Sequence, residues 1–194
     1  MNDQISAVVR CFYYNIKQLN RICASLIHDA LRDAAYALVI NSRIGYCNLS
    51  CLNLPDVLIR HLQKLVNAAA RTNSVRSHFC CITDFVREDL HWLAIKQRIQ
   101  FKALTLVYKS LHDCGPVYIK NWICHSTLAT CQPGLLLPLR QNLIVPRYRK
   151  FAEQAFTVAG HLTWNNLHDH VHLPSSIQAF CKLLKVHLFN IAYK

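Results

Sequence analysis

A chain of 194 residues, 53% of them apolar, is long enough to bury a sizeable core in one or two domains. Lys and Arg outnumber Asp and Glu by 22 to 10, a formal charge of +12, which draws the protein towards polyanions such as RNA or DNA through release of their condensed counterions. No apolar run approaches the roughly 18–20 residues that span a bilayer, and Met1-Asn2-Asp3-Gln4 lacks the basic and apolar regions of a secretory signal, so the expectation is no membrane partner, no secretion, and an intracellular place in nucleus or cytoplasm. Four glycines and six prolines among many Leu, Ile and Ala residues predict a mainly α fold.

From Asp3 to Ile22, Ile5, Val8, Val9, Phe12, Ile16 and Leu19 recur at helical spacing, with Arg10, Tyr14, Lys17 and Arg21 on the opposite side. Ser25 is placed to cap a second helix carrying Leu26, Ala30, Leu31, Ala34, Leu38 and Val39, running on towards Cys51 with Gly45 as its weak point. Pro55 and Asp56 open a third, where proline's missing N–H costs little and the acid meets the positive end of the dipole. Its buried stripe is Leu58, Leu62, Leu65, Val66 and Ala69, and opposite it Arg60, Lys64, Asn67 and Arg71 form a line about 16 Å long. Thr83 is the expected cap of a short helix to about Leu90, followed by an apolar corner at His91-Trp92-Leu93 and a central helix from Ile95 to His112. That helix is apolar over more than half its circumference, with one polar strip of Arg98, Lys102, Thr105 and Lys109. Cys114-Gly115-Pro116 breaks it. The expected organisation is a helical bundle over 1–113, a linker over 114–134, and a small mixed α/β C-terminal tail over 135–194, with short strands from Leu135 to Val145, a basic turn at Arg147–Lys150, and a terminal helix from about Ser176 to Tyr193.

Little in the chain suits catalysis. Polymerase chemistry needs clustered carboxylates for two metal ions, whereas apart from Glu88-Asp89, which diverge by about 100° on a helix and read as a solvated face, the acids are scattered. No local motif sets a nucleophile beside a base, and no Gly-rich phosphate loop occurs, so the chain is expected not to act as an enzyme and to need no cofactor or small-molecule substrate. The ten cysteines lack paired metal-binding spacings and are expected to be reduced thiols packed as small hydrophobes. His168, His170 and His172 alternate and would share a face on a strand, but with no fourth ligand in view the expectation is a solvated loop without metal; Trp92 and Trp164 are assigned to packing. What remains is three basic stripes: Arg10, Lys17 and Arg21; Arg60, Lys64 and Arg71; Arg98, Lys102 and Lys109. Each is read as a surface for the phosphate backbone of RNA or DNA, with Tyr13 and Tyr14 able to stack on bases. The alternative is a structural or protein-interaction module whose basic residues serve solubility.

Several segments in one order are familiar. Ser42-Arg43-Ile44-Gly45-Tyr46-Cys47-Asn48 and Leu62-Gln63-Lys64-Leu65-Val66-Asn67-Ala68-Ala69-Ala70-Arg71 resemble the region after the polymerase palm in jockey-like and chicken-repeat-like non-LTR (LINE-type) retrotransposon reverse transcriptases. Leu90-His91-Trp92-Leu93 with Ile95 to Lys102 resembles that family's "LHWLPVxxRIxFK" signature, and Tyr108-Lys109-Ser110-Leu111 follows at its spacing. Leu143-Ile144-Val145-Pro146-Arg147, Gln154-Ala155-Phe156-Thr157-Val158-Ala159 and Thr163-Trp164-Asn165-Asn166-Leu167 resemble its "VPR", "RAFSVAAP" and "LWNSLP" motifs. The resemblance covers nearly the whole chain. It implies a non-catalytic, thumb-like helical region that grips template and primer, then a tail, from an RNA-directed DNA polymerase of a mobile element whose endonuclease and palm carboxylates lie upstream. Departures at Gly45, Ala94, Gln154, His161 and His168, where the family has Asp, Pro, Arg, Pro and Pro, suggest relaxed constraint in a decayed insertion.

Overall fold

The computed structural model describes residues 2–40, 52, 55–73, 81–117, 119, 120, 123, 143, 145, 156–172, 174 and 176–193. It is mainly helical, as the composition requires: α1 (Asn2–Ile22), α2 (His28–Ile40), α3 (Asp56–Asn73), α4 (Ile82–Asp84), α5 (Ile95–Leu111), α6 (Phe156–Asn165), α7 (Asp169–His172) and α8 (Ile177–Ala192). No strand occurs among the described residues, and most of the segment read as short strands, with the basic turn, lies outside them. The chain divides into two compact units, Met1–Asn48 with Leu54–Lys96 and Leu49–Asn53 with Gln97–Lys194. The division falls in the first turn of α5, ahead of the boundary expected at residue 113.

In the first unit α1, α2 and α3 pack pairwise. Phe12, Ile16 and Leu19 of α1 meet this core, together with Leu31 and Ala35 of α2 and Leu62, Leu65, Val66, Ala69 and Ala70 of α3, all buried. The apolar spacing thus identifies the inner faces of α1 and α3, whereas Ala30 of α2 is exposed and Ala35 takes the inner position. Ser25 does not cap α2. It closes a 3-10 turn, Cys23–Ser25, after which Leu26 is extended and α2 begins at His28. Pro55 stands just before α3, its carbonyl accepting the Leu58 and Ile59 N–H groups at 2.9 and 3.3 Å.

The corner between α4 and α5 is built differently from its expected form. Cys81, not Thr83, is the capping residue of α4, which widens into a π-helical turn, Phe85–Asp89. His91 then takes a left-handed conformation (φ 49°) and the Trp92 N–H reaches back to the Val86 carbonyl at 3.1 Å. This swings Trp92 inward, 3% exposed, with its ring centre 6.1 Å from that of Tyr36. Gln63 of α3 receives the Ile95 N–H at 2.9 Å, satisfying one of the donors that the start of a helix leaves without an intrahelical partner.

In the second unit α5 supplies Ile99, Ala103, Leu104, Val107 and Tyr108 to the interior. Tyr108 stacks on Phe180 of α8 with ring centres 4.1 Å apart and donates its hydroxyl to the Pro174 carbonyl at 2.6 Å. Trp164 of α6 is fully buried, against Phe180 and edge-on to His172. α5 ends in a Schellman arrangement, the Cys114 N–H on the Lys109 carbonyl at 2.8 Å. The left-handed residue there is Asp113 (φ 57°), not the adjacent glycine. Gly115 serves closeness instead, since a Cβ there would stand 2.9 Å from the Ser110 hydroxyl and 3.0 Å from its backbone nitrogen. Leu143 is held at both backbone groups by the Asn165 amide, which accepts its N–H at 2.8 Å and donates to its carbonyl at 2.7 Å.

Candidate nucleic-acid interface

The first two basic stripes stand where an interface needs them. On α1, with about 100° per residue, Arg10, Lys17 and Arg21 lie about 140–180° round the helix from Phe12, and all three are exposed. Tyr14 shares their line at 62% exposure, and Tyr13 beside it is 48% exposed, so both rings are open to stacking rather than packed in the core. On α3, Arg60 and Lys64 are exposed and Arg71 half-buried, again opposite the buried stripe. Each ridge spans twelve residues, a rise of about 16 Å. Arg21 and Arg71 also fall in the last turns of their helices, where a cation is favoured by the dipole.

The sole acid of α3 is Asp56 at its start, which pairs with Lys96 at 3.8 Å with both side chains more than half exposed, while its backbone carbonyl receives Arg60 Nε at 3.4 Å. Such an exposed pair contributes little. Arg21 donates to Gln18 at 3.3 Å, a neutral partner that leaves its charge uncompensated.

The third stripe is different. Arg98 is buried at 8% exposure, and Lys102 and Lys109 are half-buried. Burial first, and then the charge of Arg98, push the Lys102 ammonium below its ordinary value, which marks a strip withdrawn from solvent. The polar arc of α5 is narrow, with the buried Ile95 and Ile99 about 60–100° to one side of Arg98 and the buried Tyr108 about 80° to the other. Arg98 therefore does not stand on an open ridge.

The remaining sequence candidates divide as follows. Glu88 and Asp89 are exposed, as expected of a solvated face. Cys11, Cys81 and Cys114 are exposed and Cys23 and Cys181 half-buried, so among the described residues no thiol packs as a buried hydrophobe. Cys81 lies at the start of α4, where hydrogen bonds from the backbone and side chain of Thr83 lower its thiol below the usual range. The three alternating histidines form no strand face. α7 turns His172 inward to Trp164 and leaves His168 and His170 exposed.

No family model, curated protein or solved structure matches this chain. Among the described residues no helix is long and apolar enough to cross a membrane.

Proposed function

We propose that this chain is a non-catalytic module that grips the phosphate backbone of RNA or DNA, as the thumb-like C-terminal region of a LINE-type reverse transcriptase would. The observation that supports this best is the pairing of exposed cations with buried stripes on opposite sides of α1 and α3, with the open Tyr13 and Tyr14 rings beside the first ridge. Cations held on rigid helices contact phosphates in any sequence, and aromatic faces add base stacking that is equally tolerant of sequence. The interface centres on Arg10, Lys17, Arg21, Arg60, Lys64 and Arg71; the buried Arg98 is left out of it.

Binding of a single-stranded RNA and of a duplex DNA, measured by fluorescence anisotropy over a salt series, tests the reading. Affinity is expected to fall steeply with salt, and the double charge reversal Arg60→Glu, Lys64→Glu to flatten the logarithmic slope by about one for each phosphate that is no longer neutralised. A slope near zero in the unaltered protein would remove the backbone-gripping mechanism. Retention of full affinity by the reversed variant, with loss of protein association when exposed apolar side chains are changed, would favour the interaction-module alternative.

A further inference from the structure

Within the second unit, two neighbouring imidazoles meet a third carried by a separate helix. His168, just before α7, and His170 within it approach His187 of α8, with ring centres 5.3 Å apart for His168 and His187 and 5.8 Å for the other two pairs. They rim an open depression of about 370 Å³ whose other wall is Leu183, Val186, Asn190 and Ile191. We propose that His168, His170 and His187 form a binding site for a divalent first-row transition ion of the zinc, cobalt or nickel kind, with further coordination positions open to solvent or to an exogenous ligand.

The spacing carries the proposal. Three imidazoles bound tetrahedrally to one ion at metal–nitrogen distances of about 2.0–2.1 Å have ring centres about 5 Å apart, close to the triangle observed. As the side chains stand, no three His, Cys, Asp or Glu groups among the described residues have their donor atoms gathered for an ion. His168 and His170 lie 29° from coplanar, while both are steeply inclined to His187, at 78° and 73°. Forming the site requires the rings to rotate about their own side-chain bonds, a motion that turns the nitrogens and leaves the centres near their present positions. Two of the rings are exposed; the third is half-buried on the 16-residue α8. Lys182 and Lys185 lie about 140–160° round α8 from His187, so their charges do not face the ion. Leu183, Val186 and Ile191 give the depression an apolar wall beside the three rings.

Titration of the full, reduced chain with Co²⁺ provides the test, because visible d–d absorption reports nitrogen ligation and thiolate-to-cobalt charge transfer reports the cysteines separately. One equivalent with d–d bands and no thiolate band is expected. Its affinity should fall at least about tenfold in His187→Ala and in His168→Ala, and stay unchanged in His61→Ala on α3. His168 is exposed, so that variant keeps the test valid if His187→Ala fails to fold. Absence of a visible band, a thiolate signature alone, or equal affinity in the His168 and parent proteins would each overturn the proposal.

Discussion

Two residues of the second unit have consequences that can be read one side chain at a time. Arg98 is buried on α5, so its guanidinium is withdrawn from the surface that a polyanion would meet. Arg98→Ala is expected to cost about 1–3 kcal/mol in a denaturant melt, as when a buried polar group is removed, and to leave the salt slope of nucleic-acid binding unchanged. A reduced slope without loss of stability would put Arg98 back on the interface. His161, 1% exposed on α6, has its imidazole held below the ordinary value by burial. The unfolded chain then binds the proton that the folded chain refuses, so stability is full above about pH 6.5 and declines as pH falls from there towards the lowered folded value, at up to about 1.4 kcal/mol per pH unit. His161→Leu should remove that part of the slope, and a difference curve flat with pH would show that His161 titrates alike in both states.

At the scale of elements, the Asn165 amide of α6 makes a two-point bond with the backbone of Leu143. One planar side chain here plays the part of a neighbouring strand, satisfying a backbone donor and acceptor together. Asn165→Ala leaves both groups without that partner, so a loss of about 1–3 kcal/mol is expected from chemical denaturation, with faster amide exchange at Leu143. Asn165→Asp should recover only the bond accepted from the Leu143 N–H. Unchanged exchange at Leu143 would mean that the amide contributes nothing there. The long helices were legible because their apolar residues recur every three or four positions: α1 and α5 begin and end within a residue of their expected limits, and α3 begins where Pro55 and Asp56 place it. Their junctions were not. Ser25 and Thr83 are good capping residues, but the chain enters α2 and α4 one to three residues away from them, because the 3-10 turn after α1 and the π turn before Trp92 serve the packing of the core rather than local preference.

For the whole molecule, a formal charge of +12 means that compaction brings like charges together, a cost that ions in solution screen. Between about 10 mM and 150 mM salt the screening length shrinks from roughly 30 Å to roughly 8 Å. The free protein should therefore melt several degrees higher at the upper value, by about 2–4 °C for each kcal/mol of repulsion relieved in a chain of this size. A melting temperature that falls with salt would show that favourable ion pairs outweigh the repulsion. The same salt should weaken nucleic-acid binding, so the two measurements move in opposite directions if the cations are solvent-facing ridges.

Charge, helical periodicity and the order of motifs belong to the linear chain, and from them followed the mainly α class, the buried faces of α1 and α3, and the ridges of Arg10, Lys17, Arg21, Arg60 and Lys64. These were readable because a helix's two faces are set by spacing alone, whatever it packs against. Which cations are open and which covered, and which histidines meet, was decided only by tertiary structure. Arg98 is withdrawn because both sides of a narrow polar arc are buried, and His187 joins His168 and His170 because α8 folds back on α7. Neither follows from neighbours in sequence, since burial and convergence depend on what a distant segment brings to the same place.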